Sequence, residues 1–297
     1  MAHYTKLVTH DSCMDGLAVA MIVRDAIPDI EVVFAQYGTP SLEQLPATSG
    51  LLFCDITPPR ARVAEFVEAG ATVLDHHKHA QDIVAQFGAR GVFADEAGDL
   101  GVSGATLAFR HVWVPVYGAR SAVETFARWV GVRDTWQRKS PEWEAANDMY
   151  ASMAGLPREY WLQPCGIHDA LSPRSLELGR MWRAERDRTV SRICKGGTIN
   201  LMDPKGRHWS VFPDTDHYVS DVASVLISAN VTCGWFQRAE LEDLVTVLSL
   251  RSQDGSVDVG ALAKRFGGGG HSRAAGCALH ECNPLIAVAT VMNAGAQ

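Results

Sequence analysis

Over its first half the chain alternates short apolar runs with stretches of helical periodicity, and this restricts the possible folds more than any other feature. Tyr4 to Thr9, Glu31 to Ala35, Gly50 to Cys54 and Ala71 to Leu74 are brief, apolar and bounded by polar or turn residues, as buried strands are. Between them, Gly16 to Ala26 places Leu17, Ala20, Met21 and Val23 at helical spacing, and Pro59 to Ala69 opens with a proline suited to a first helical turn. Strand and helix in repeated succession predict βαβ units around a mainly parallel sheet.

Ser103 to Val112, Ala122 to Val130 and Pro141 to Met153 read as further helices covering that sheet. Pro157 to Pro173 holds three prolines and little periodicity, and a long charged helical pattern follows from Arg174 to about Ile193. After Lys195-Gly196-Gly197 the pattern changes. Thr198 to Met202 and Trp209 to Phe212 suggest a hairpin, Asp221 to Ser228 a helix, and Leu244 to Leu250 a buried strand. The expectation is an α/β protein in three parts: an N-terminal domain over 1–155, a helical connector over 156–195, and a smaller α/β domain with a mixed sheet over 196–297, with a cleft between the domains. With 297 residues, 47% of them hydrophobic, the chain can fill two cores.

The net charge of −7 opposes broad adhesion to long nucleic acid, which needs a basic surface to displace counterions. A short anionic substrate gripped locally remains compatible. No apolar run reaches the roughly 20 residues of a spanning helix, and the first residues lack a secretory layout, so a cytoplasmic protein with no membrane partner is expected. The seven cysteines are scattered without a Cys-x-x-Cys pair, which signals neither a disulfide framework nor a structural zinc site.

In open α/β sheets ligands gather at the carboxyl ends of strands. Here the first strand is followed by His10, Asp11, Cys13 and Asp15, the third by Asp55, and the fourth by Asp75-His76-His77. Carboxylates and imidazoles are costly to bury unless paired, hydrogen-bonded or bound to metal, so three such strand ends point to two divalent ions with a bridging carboxylate.

In these residues the sequence resembles the DHH phosphoesterase superfamily. The first motif, a His followed by Asp-x-Asp-Gly, is similar to His10-Asp11-Ser12-Cys13-Met14-Asp15-Gly16; the second to Asp55-Ile56-Thr57-Pro58-Pro59; the third is Asp75-His76-His77; and the fourth is matched by Asp134 in Val132-Arg133-Asp134-Thr135-Trp136. Downstream, Gly268-Gly269-Gly270-His271-Ser272-Arg273-Ala274-Ala275-Gly276, preceded by Ser249-Leu250-Arg251-Ser252, is similar to the DHH-associated domain. That companion accompanies the nuclease and dinucleotide phosphodiesterase branches rather than the family II pyrophosphatases.

The resemblance implies one metal on His10, Cys13 and Asp55 and a second on Asp15, Asp55, His76 and Asp134, with Asp55 as the bridge. It implies His77 beside the substrate phosphate and leaving oxygen, Asp75 orienting the site, and manganese as the usual metal, with magnesium an alternative. Cys13 stands where most members have an aspartate. A thiolate suits zinc or iron better than manganese, which leaves the first metal open, and Asp11 is an alternative ligand. Arg251, Ser252, Gly268, Gly269, Gly270, His271 and Arg273 would bind the far end of a substrate, the glycines by letting amides approach a phosphate.

Other residues read more plainly. Cys54 and Cys277 are expected as small buried hydrophobes. Cys13 fits a site residue and a packing residue equally. Lys78 and His79 read as a solvated helix start, and His111, His168, His208, His217 and His280 as structural or exposed. Trp129, Trp136 and Trp143 could stack bases, but their seven-residue spacing favours core packing.

The function expected is metal-dependent hydrolysis of short single-stranded RNA or DNA, or of dinucleotides, to nucleoside 5′-monophosphates, as in exonucleases and oligoribonucleases. The alternatives are a 3′-phosphoadenosine-5′-phosphate phosphatase and a nucleotide-binding sensor whose catalysis Cys13 has impaired. The sequence does not decide oligomeric state, and a homodimer is compatible with it.

Overall fold

A computed structural model describes residues 4–11, 13–94, 101–119, 121–214, 218–240 and 243–295, with the side chains of His79, His271, 238–240 and 243 excepted. His217 therefore lies outside the described residues. The chain divides into two compact units, Met1–Arg183 and Ala184–Gln297, and the division falls inside the long helix Pro173–Gly196.

The first unit is built on five parallel strands: β1 (Lys6–His10), β2 (Glu31–Ala35), β3 (Leu51–Cys54), β4 (Thr72–Asp75) and β5 (Gly91–Phe93), in the order β2-β1-β3-β4-β5. Alternate residues of each strand face opposite sides. Leu7, Leu52 and Leu74 join a core with the helices Met14–Ala26, Gly104–Ala108 and Ala122–Asp134, while Val8, Phe53 and Val73 join a second core with Val63–Glu68. The strand order reverses beside β1, which opens a crevice at the carboxyl ends of β1 and β3.

The mainly parallel N-terminal sheet matches the expectation. β5 was not foreseen, and Pro157 to Pro173 contains two short helices, Arg158–Trp161 and Gly166–Ala170. Trp129 packs against the first core, whereas Trp136 is 38% exposed, contrary to its reading as a core residue.

The second unit holds a mixed sheet of β6 (Ile199–Met202), β7 (His208–Pro213), β8 (Val231–Glu240), β9 (Asp243–Ser252), β10 (Gly269–His271) and β11 (Ala274–Leu279), ordered β10-β11-β9-β8-β7-β6. β7 and β8 run parallel; every other pair is antiparallel. Val211, Val231, Cys233, Leu248, Leu250 and Cys277 form its core with Val259–Lys264 and Pro284–Gly295. The end of the glycine run, read as a phosphate-cradling segment, enters edge strand β10 at Gly269 and Gly270, and β10 is joined to β11 by the tight turn Ser272-Arg273.

Candidate metal centre

β1, β3 and β4 end side by side. His10 closes β1, and Cys13 is the N-cap of the helix that carries Asp15 in its first turn. Gly16 makes this approach possible, because a Cβ there would lie 2.1 Å from the His10 carbonyl oxygen. Asp55 follows β3 with a φ of 66°, a left-handed conformation uncommon for a residue with a side chain, and such strain gathers at functional positions. Asp75 ends β4 and accepts from the His77 amide at 2.7 Å, while its Oδ1 also lies 2.9 Å from His77 Nδ1. Asp134 is the last residue of Ala122–Asp134.

These side chains converge. His76 Nε2 lies 3.3 Å from Asp55, 3.6 Å from Asp15 and 3.7 Å from Asp134, and Cys13 Sγ lies 3.6 Å from Asp55 Oδ2. Three sets of potential ligand atoms each fall within 4.8 Å of one another: His10, Cys13 and Asp55; Asp55, His76 and His77; and Asp15, His76 and Asp134. Asp55 Oδ1, Asp75 Oδ2 and both ring nitrogens of His76 are buried without a hydrogen-bond partner. Burying such groups is costly unless something compensates, and imidazole, carboxylate and thiol donors so placed fit divalent cations.

The electrostatics carry the same mark. Burial, and then the neighbouring Asp15 charge, push the Asp55 carboxyl well above its usual range. Burial and then Asp55 push the Cys13 thiol well up, whereas burial and then His77 pull the His10 imidazole down. Burial alone would lower His77, but its hydrogen bond to Asp75 and that carboxylate's charge outweigh this and raise it to about 8. A cation among these groups would invert the direction for Asp55 and Cys13.

Two supports carried no functional reading in the sequence. Asp15 accepts from the backbone amides of Gly104 at 2.5 Å and Ala105 at 2.8 Å, at the start of a helix opened by a Ser103–Thr106 capping box. The Ser-x-x-Thr spacing before an apolar run was the available signal. Arg158 donates to the Asp11 carboxylate at 2.8 Å, and Asp11 belongs to none of the three ligand sets.

In the second unit, Arg251 pairs in register with Ala274, and the Ser252 amide donates to the Arg273 carbonyl at 2.9 Å. Arg251, Ser252, Arg273 and the hairpin of Gly269, Gly270 and His271 therefore share one corner of the sheet. Gly268 and Gly270 admit no Cβ, since one would lie 2.1 Å from the Gly276 oxygen and 2.4 Å from the Ala274 oxygen, respectively. Burial lowers the Arg251 pKa, countered by Asp214, and its Nε donates to Ser220 at 3.0 Å. Cys54 and Cys277 are buried, while His111, His168, His208, His280 and Lys78 are exposed.

Several solved structures share this architecture. A DHH domain from a member of a family of ribosomal proteins matches with a TM-score of 0.56 and 12% identity, over 97% of this chain and 85% of that one. The chain has the DHH fold. A pGpG-specific phosphodiesterase from Vibrio cholerae matches with a TM-score of 0.58 and 15% identity over 99% of each chain. An exopolyphosphatase-related protein from Bacteroides fragilis matches with a TM-score of 0.51 and 13% identity, over 98% of this chain and 92% of that one. An uncharacterized protein of Acanthamoeba polyphaga mimivirus is 21% identical over 236 residues, 77% of this chain but 52% of the viral one, so the chain spans about half the length of that relative. No family model matches the sequence.

Proposed function

We propose that this protein is a metal-dependent phosphoesterase that hydrolyses phosphodiester bonds in dinucleotides or short oligonucleotides, releasing nucleoside 5′-monophosphates. The observation that carries the reading is the set of orphaned buried atoms on Asp55 and His76 at the meeting point of the three ligand sets. Support also comes from the shared fold with a pGpG-specific phosphodiesterase.

His10, Cys13 and Asp55 would hold one cation, and Asp15, Asp55, His76 and Asp134 a second, most simply manganese or magnesium. When bound, the cations would supply Lewis-acid polarisation and a nucleophilic water at neutral pH. Gly104 and Ala105 fix Asp15 through their amides, and Asp75 fixes the His77 ring through Nδ1. Held by Asp75, the His77 imidazole would bind the phosphate and donate a proton to the leaving oxygen. In this reading the first unit carries catalysis, and in the second unit the corner of Arg251, Ser252, Arg273 and the glycine hairpin is a phosphate-binding element.

Cys13 favours a second reading, a nucleotide-binding sensor with impaired catalysis, because it places a thiol among the ligands of the first cation. Incubation with manganese and a panel of 3′-phosphoadenosine-5′-phosphate, linear and cyclic dinucleotides and short RNA and DNA, with products separated by chromatography, decides among these. Monophosphates from linear dinucleotides support the proposal, release of phosphate from 3′-phosphoadenosine-5′-phosphate alone selects the phosphatase, and binding without turnover selects the sensor. Among the described residues, no helix is long and apolar enough to cross a membrane.

A further inference from the structure

Two residues beyond Asp134 the chain presents a feature that metal binding does not require. Trp136 is 38% exposed and adopts a φ of 54°, so a large apolar ring is held at the surface on a left-handed backbone that tryptophan rarely accepts. The underside of this corner is built from cations and rings. The buried Arg133 has its guanidinium carbon 4.4 Å from the Trp136 ring centre and 4.4 Å from that of Tyr150, and Trp143 lies 5.9 Å from Trp136. The exposed Arg138 reaches the same Trp136 ring at 4.8 Å, and Lys139 beside it is also exposed. Two residues of backbone span at most about 7 Å, so the Trp136 backbone stands within that reach of Asp134, a member of one ligand set.

Packing on Arg133 and Trp143 holds the ring in place yet leaves more than a third of the residue open to solvent. A part-exposed indole with the buried Arg133 and the exposed Arg138 both against its ring is suited to an aromatic plane carrying negative charge nearby, which describes a nucleotide. We propose that Trp136 is a nucleobase platform beside the metal centre, stacking on a base of the substrate while Arg138 pairs with its phosphate. The proposal rests on the phosphodiesterase reading for the identity of the ligand, but its test does not need hydrolysis.

The test measures manganese-loaded full-length protein by calorimetry with AMP, GMP and ribose 5-phosphate, the last carrying phosphate and sugar without a base. Wild type should bind AMP and GMP about 10-fold tighter than ribose 5-phosphate, as stacking on one aromatic ring implies. Trp136→Asn, which tolerates the left-handed backbone while removing the ring, should abolish that difference in a protein that remains folded by circular dichroism, and Trp136→Phe should restore most of it. Equal affinity of the wild type for all three ligands, or a base preference that survives Trp136→Asn, overturns the platform. Base preference in a protein that hydrolyses no phosphodiester supports the platform while removing the proposed reaction.

Discussion

Gly104 lies so close to Asp55 that a Cβ added to it would stand 2.5 Å from the Asp55 Cβ and 2.9 Å from Asp15 Oδ2. The start of one helix is thus pressed between two buried carboxylates of the centre, and its amides hold one of them.

Gly104→Ala should therefore displace both carboxylates. Overpacking of this kind costs about 1–3 kcal/mol, read as a lower urea midpoint, and metal affinity should fall with it. Calorimetric titration of manganese into wild type and variant checks the second effect, and unchanged affinity would show that the helix start is not part of the centre.

Asp15, Asp55 and Asp134 crowd one imidazole, so bound cations should stabilise the fold by relieving their repulsion and filling orphaned lone pairs. At a hundred-fold excess over the dissociation constant, a cation that binds only the folded state contributes about 2.7 kcal/mol. Chelation should lower the melting temperature by several degrees, and manganese should restore it. Identical melting curves with and without chelator would contradict the site.

Cys13 is the side chain of the first set that prefers soft metals. Cys13→Asp should shift metal selectivity toward manganese and away from zinc by about 10-fold or more, because the thiolate that favours zinc is replaced by a hard oxygen. Competition between the two ions, followed by elemental analysis, measures this. Unaltered selectivity would assign Cys13 to packing.

Far from the centre, Asp203 closes the turn between β6 and β7, accepting from the amides of Lys205 and Arg207 at 2.9 and 3.0 Å and from Arg207 Nε at 2.6 Å. Burial by itself would raise its pKa, but these hydrogen bonds and the Arg207 charge outweigh it and hold the carboxyl below the ordinary 3.8. A depressed folded pKa stabilises the protein above the ordinary value, and this contribution is lost as pH falls through 3.8 toward the folded value. Urea unfolding across this range should show Asp203→Asn less stable than wild type near neutrality, with the gap narrowing in acid. A gap that is constant with pH would contradict the assignment.

Much of the centre was legible in the sequence because His10, Asp55 and Asp75-His76-His77 stand directly after apolar runs, where burial obliges polar side chains to pair, hydrogen-bond or bind a metal. The rest was hidden for identifiable reasons. Gly104 and Ala105 act through backbone amides, which no side-chain pattern records. β5 is three residues on a sheet edge, and β8 is interrupted by Gly234 and Gln237, so neither shows a sustained apolar pattern. Gly269 and Gly270 carry no strand signal because glycine is depleted in strands, yet the close approach of β11 demands it at Gly268 and Gly270. The seven-residue spacing of Trp129, Trp136 and Trp143 implied one helical face, but one helix ends at Asp134 and the next begins at Trp143, leaving Trp136 in the turn between them.

The central claim is that Asp55, at the meeting point of two ligand sets, organises a centre that hydrolyses phosphodiesters. The most direct test is turnover of a linear dinucleotide by manganese-loaded wild type and by Asp55→Asn, matched for folding. Wild type should release nucleoside 5′-monophosphates, and the variant should fall by about a hundred-fold or more, since it loses a ligand from both sets. A wild type inert toward the dinucleotide, or an Asp55→Asn variant with full activity, would contradict it.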